Sequence, residues 1–227
     1  MKKLENIKNL IINELPGYSV YFSESELPEG TPLPVEWAGF GLGAEQSDWL
    51  PSQWLAFSSL LPIVYTWLSK CVIGTALAVG DKPYLVYIYT EDDELCLYLG
   101  GPPLKNPEDM TKLSILEESL HSFYTQLHDG FIFYIDYSMG PSRVQDFVNI
   151  HDLCDDACPT GPELTAFFSS GAGDYMAVDK NSSPPVNYIW WHEKQDCPDV
   201  DIDIWPTMDA WMGIFLENSD SNEGILE

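Results

Sequence analysis

Leu4, Ile7, Leu10 and Ile11 recur at helical spacing, so a short amphipathic helix is expected to open the chain. Pro16 and Gly17 end it. Residues 23–48 are rich in proline, glycine and acidic side chains and read as a long surface loop with at most one short strand. The stretch "WLPSQWLAFSSLLPIVYTWLS", between Asp48 and Lys70, carries no charge. A membrane span needs roughly 20 apolar residues. Here Pro51 and Pro62 interrupt the run, Gln53, Ser58, Ser59 and Thr66 dilute it, and no strong positive flank follows. A buried helical or irregular core segment is expected in its place.

The pattern then changes period. "CVIGTALAV", "YLVYIYT" and "ELCLYLG" are short, β-branched or aromatic runs separated by "GDKP" and "EDD", the signature of an antiparallel meander. "GGPPLKNP" breaks it and marks a module boundary. Asn106 can cap the next helix, Pro107 suits its first position, and Glu108 and Asp109 favour its positive end. Leu113, Leu116, Leu120, Phe123 and Leu127 then form one stripe, which predicts a single helix up to Asp129 and Gly130. "FIFYID" reads as a buried strand and "RVQDFVNI" as a strand or short helix. "LTAFFSS" and "DYMAVD" read as strands joined tightly through "SSGAGD", and "YIWWHE" as another strand. A last helix is expected near Thr207, with Met208, Trp211, Ile214 and Phe215 on one face. Runs of strands with flanking helices argue for an α+β fold, an antiparallel or mixed sheet flanked by helices. Residues 1–104 are expected to hold the first helix, loop and meander, 105–218 a second α+β module, and 219–227 a frayed acidic tail.

Charge narrows the function. Thirty-six acidic residues face ten basic ones, a formal net charge of −26 in 227 residues. Such a field favours solubility, repels nucleic acid and anionic membrane, and speeds association with basic proteins. No basic stripe exists to neutralise phosphates, so neither a nucleic-acid nor a membrane partner is expected. Five cysteines, an odd count, and an N-terminal stretch without a clean apolar core or cleavage site lead to an expectation of reduced thiols in a cytoplasm.

Catalytic signals are sparse. There is no G-x-S-x-G elbow, and "GLG" and "GAG" lack the spacing and lysine of a phosphate loop. His121 and His128 read as surface or capping side chains. His151, Cys154 and Cys158, with His192 and Cys197 as a second half, are chemically sensible zinc ligands at loose spacing, and the plain alternative is a surface turn with free thiols. No cofactor is expected. The stretch "DCPDVDID" crowds Asp196, Asp199, Asp201 and Asp203 with almost no neutralising base. It lacks the glycine and closing glutamate of a calcium loop, so a solvated loop or a patch for a cationic partner is the reading. Trp190 and Trp191 are adjacent, so on a strand they point to opposite faces: one can enter the core, and the other is exposed unless a helix or second layer covers the sheet on both faces, which is the equal alternative. An exposed tryptophan beside carboxylates suits a protein interface.

"LTAFFSSGAGDYMAVDKNSSPPVNYIWWHE…DIWPTMDAWMGIFLEN" resembles the C-terminal half of the SUKH superfamily. Gly173, Asp174, Tyr175, Trp191, His192, Glu193 and Trp211 would fill that pattern's places. "SFYTQLHDGFIFY" and "MGPSRVQDFVNIHDL" are similar to the segments before it, and "ELPGY" echoes the family's usual opening. The resemblance spans about 107–218 and departs over much of the first hundred residues. It implies a SUKH-like fold and a non-enzymatic cytoplasmic immunity protein that neutralises a basic, often nuclease, toxin domain. Adaptors without a toxin partner are also implied. The residues expected to meet the partner are Asp155, Asp156, Trp190, Glu193, Asp196, Asp199, Asp201 and Asp203. The competing expectation is a metal-dependent hydrolase built on His151, Cys154, Cys158 and His192.

Overall fold

A computed structural model describes residues 2–43, 49–134, 139–154 and 161–225. It is an α+β protein whose strand pairs are antiparallel. The chain divides into two compact units, Met1–Pro102 with Gly213–Glu227, and Pro103–Met212.

In the first unit, helix α1 (Lys2–Glu14) buries Ile11, and Leu15 is buried just beyond its end. Strand β1 (Ser19–Tyr21) comes before the proline-rich stretch. That stretch is more than a surface loop, because Trp37 and Phe40 are buried in it. The uncharged segment folds into a 3-10 turn, Ser52–Phe57, and helix α2 (Pro62–Lys70), with Pro62 at the helix start where its missing N–H costs nothing. Among the described residues no helix is long and apolar enough to cross a membrane. The meander follows as β2 (Gly74–Val79), β3 (Pro83–Glu91) and β4 (Glu94–Gly100), with the order β1-β2-β3-β4. Asp92 and Asp93 connect β3 to β4 with φ of 51° and 64°. Positive φ at both central residues matches the right-handed strand twist, which is why "EDDE" works as a hairpin without glycine. The aromatic side chains explain the core. Trp54 donates its indole N–H to the Tyr87 hydroxyl at 2.8 Å, and Trp67 packs edge-on against Tyr89 and Tyr98 at 5.1 and 5.8 Å. The charge-free segment therefore covers the sheet it precedes.

In the second unit the single helix expected over 107–127 is broken. Helix α3 (Pro107–Leu113) starts with Asn106 Oδ1 accepting the Glu108 N–H. Extended Glu117 then precedes a short α4 (Glu118–Ser122), and one π-helical turn, Phe123–Leu127, ends where the His128 N–H bonds the Phe123 carbonyl. The break costs no burial, because Leu113, Leu116, Leu120, Phe123 and Leu127 are all buried. His128 is also buried and lies parallel to the Phe131 ring, which corrects the surface expectation. Beside it, buried Asp129 accepts the Val144 N–H at 2.9 Å and pairs with Arg143 at 3.5 Å.

Strands β5 (Phe131–Phe133), β6 (Met139–Pro141), β7 (Val148–Asn149), β8 (Leu164–Ser170), β9 (Tyr175–Asp179), β10 (Asn187–Trp190) and β11 (Asp199–Val200) follow. The sheet order is β11-β10-β9-β8-β6, with β7 also pairing β8. Helix α5 (Ile204–Leu216) starts three residues before the expected Thr207. Thr207 instead donates its N–H and hydroxyl to the Asp203 carbonyl, inside the first turn. Met208, Met212 and Leu216 are buried, whereas Ile214 faces out at 68% exposure, so the buried stripe is rotated from the expected one.

Candidate protein-interaction site

The β8–β9 turn is built by side chains as much as by glycine. Ser170 Oγ accepts the N–H groups of Ala172 and Asp174, at 3.1 and 3.2 Å, and the Ser170 N–H bonds the Asp174 carbonyl. Gly173 sits at φ +94°, and a Cβ there would lie 3.3 Å from the His192 ring. The turn thus brings Asp174 to the end of β10. Its Oδ1 accepts the His192 N–H at 3.0 Å and the His192 Nδ1–H at 2.8 Å. Because a carboxylate only accepts, this pairing places a proton on Nδ1.

Strand β10 ends at Trp190, and the two tryptophans part there. Trp190 is buried with Ile150, Leu164, Ala166 and Ala177. It therefore cannot be the surface aromatic expected to meet a partner. The β pleat sends Trp191 to the other side. Trp191 is half-buried, donates its indole N–H to Asp199 Oδ2 at 3.0 Å, and lies 6.0 Å from the Trp211 ring, which in turn meets Phe168 at 5.9 Å. Asp174, Trp191, His192, Glu193 and Lys194 line one shallow cleft.

The expected acidic residues have distinct places. Glu193 and Asp196 are exposed in two consecutive turns after β10, closed by Lys194 N–H to Trp191 O and Cys197 N–H to Lys194 O. Asp199 pairs opposite Ile189 in the sheet and holds the Trp191 indole. Asp201 is exposed with φ +60°. Asp203 is exposed immediately before α5, where a carboxylate favours the helix dipole. Between Glu193 and Asp203 the sequence sets five carboxylates against the single base Lys194. Asp155 and Asp156 lie outside the described residues.

The zinc expectation meets a different geometry. His151 is exposed on a 3-10 turn. Cys154 is disulfide-bonded, which corrects the expectation of reduced thiols throughout and removes a thiolate ligand. Cys158 lies outside the described residues. His192 Nδ1 is committed to Asp174, and Cys197 is an exposed free thiol. Among the described residues no group of three or more His, Cys, Asp or Glu is placed to hold a metal ion. Cys71 and Cys96 are free, and burial pushes both thiols up, that of Cys96 to about 11.

The residues read singly that miss their importance are Asp174 and Trp211. Asp174 looks like one carboxylate among many until the turn folds it onto His192. Trp211 looks like a core residue until the Trp191 ring meets it at a tilt of 52°. Their signal was the joint pattern Gly-Asp, Trp-His-Glu and a later tryptophan. No protein-family model matches this chain, and no curated protein or solved structure matches it either.

Proposed function

We propose that this chain is a non-enzymatic immunity protein of the SUKH kind, acting in a cytoplasm, that binds a basic toxin domain and occludes it. The carrying observation is Trp191, half-buried and held by Asp199 and Trp211 at the head of the acidic stretch 193–203. A rigid aromatic next to carboxylates combines the two contributions an interface needs. The aromatic supplies buried contact at small entropic cost, and the carboxylates supply steering. The net charge of −26 selects a basic partner over nucleic acid or an anionic membrane. The resemblance stated above supplies the class of partner, a nuclease toxin domain.

The test is affinity capture from the producing strain with the intact chain as bait, at low and high salt. A basic protein with nuclease activity, retained at low salt and inhibited by the chain, supports the reading. Stopped-flow association should then slow at least tenfold as salt is raised from about 10 to about 300 mM, because the Debye length shrinks from roughly 30 Å to below 8 Å. A salt-independent on-rate would remove steering from the account.

A further inference from the structure

We infer that the cleft beside Trp191 seats a single arginine side chain of the basic partner, an inference that rests on the reading just given. The shallow cleft has a volume of about 330 Å³. Ligand clefts run from roughly 300 to 1,000 Å³, so this one stands at the small end of that range, with room for one long side chain and not for a folded peptide. Its wall is an indole positioned by two contacts, the Asp199 carboxylate on its N–H edge at 3.0 Å and the Trp211 ring at 6.0 Å. Its charge comes from two carboxylates of different kinds. Asp174 is fixed, with Oδ1 occupied by His192, while Oδ2 accepts no hydrogen bond among the described residues. Glu193 is exposed and adjustable.

A planar guanidinium can stack on the indole face while its N–H fork meets a carboxylate, whereas an ammonium makes only a point contact. The same cleft carries one opposing charge, Lys194. That cation competes with an incoming arginine, and its removal gives the inference a signature that loss of folding cannot mimic.

The probes are the blocked pentapeptide Gly-Gly-Arg-Gly-Gly and its lysine counterpart. Each is titrated into the intact chain while the indole N–H resonances are followed by NMR, with Trp191 assigned through Trp191→Phe. The arginine peptide should shift the Trp191 and His192 signals and bind about threefold more tightly than the lysine peptide, the order a surface cation–π contact supplies. Glu193→Gln should weaken it about threefold and Lys194→Gln should tighten it by a similar factor, as expected for exposed charge pairs. Equal binding of the two peptides, shifts spread evenly over the surface, or insensitivity to both charge variants overturns the inference. The two readings fail separately. If the peptide titrates the cleft and no basic protein is captured, the toxin reading falls and the cleft stands. If a toxin is captured equally well by Glu193→Gln and Trp191→Leu, the cleft falls and the toxin reading stands.

Discussion

Replacing Gly173 with alanine tests how the candidate site is held together. Gly173 sits at φ +94°, where an L-residue pays a left-handed penalty of about 1–2 kcal/mol. Stiffening the unfolded chain returns about 0.4–1 kcal/mol of that. The new Cβ would also lie 3.3 Å from Cγ and Nδ1 of His192, so the ring must retreat by a few tenths of an ångström. Its 2.8 Å bond to Asp174 then lengthens. A hydrogen bond contributes about 0.5–1.5 kcal/mol net, and this one is partly exposed, so the loss lies near the lower end. The net expectation is a destabilisation of about 1–2 kcal/mol. Urea denaturation reads it as a midpoint lowered by about 0.5 M, given slopes of about 2–3 kcal/mol per M. Fluorescence and far-UV circular dichroism must trace one transition for a single free energy to apply. His192→Ala removes the ring that the Cβ would press, so the two substitutions should couple by about 0.5 kcal/mol. If Gly173→Ala is as stable as the parent, or the double variant is strictly additive, the account of this turn is wrong.

Gly140 should be far less forgiving. A Cβ there would lie 2.1 Å from the Phe131 carbonyl oxygen, a backbone atom that cannot step aside, so Gly140→Ala should cost about 4 kcal/mol or more and reduce soluble yield. Burial raises the Asp129 carboxyl above its ordinary value, outweighing the Val144 N–H and Arg143. The folded state therefore holds this proton more tightly than the unfolded state. Asp129's contribution to stability is fully present below the unfolded value near 3.9 and falls as pH rises through the folded one. Urea midpoints measured across acidic pH in high salt should show this slope, and Asp129→Asn should flatten it; an unchanged slope in the variant refutes the assignment. Thiol titration of the unreduced, denatured chain should leave Cys154 unreactive while Cys71, Cys96 and Cys197 react. In the native chain at neutral pH a maleimide should reach exposed Cys197 first, since Cys71 and Cys96 are half-buried and their thiols are raised. Rapid labelling of Cys96 would contradict its burial.

Local pattern carried the elements whose form depends on near neighbours. The meander was legible because β2, β3 and β4 are short apolar runs with turn residues between them, and "LTAFFSS" matches β8 from end to end. The cap at Asn106 was legible for the same reason, since an N-cap acts within one turn. The apolar stripe from Leu113 to Leu127 correctly marked buried residues, but it could not reveal the break at Glu117. Periodicity reports which side chains are buried, and both a continuous helix and a broken one bury that stripe.

Tertiary structure decided what depends on contacts between distant residues. The adjacency of Trp190 and Trp191 required opposite faces, yet only the packing of Ile150, Leu164 and Ala177 showed that Trp190 is the buried one. Asp174 and His192 are eighteen positions apart, and their pairing needs the β9–β10 hairpin to close. His128 and Asp129 read as a polar helix end, and the fold buries both. In each case the sequence specifies the chemistry a side chain can perform, while the long-range path of the backbone determines which partner it meets and whether water reaches it.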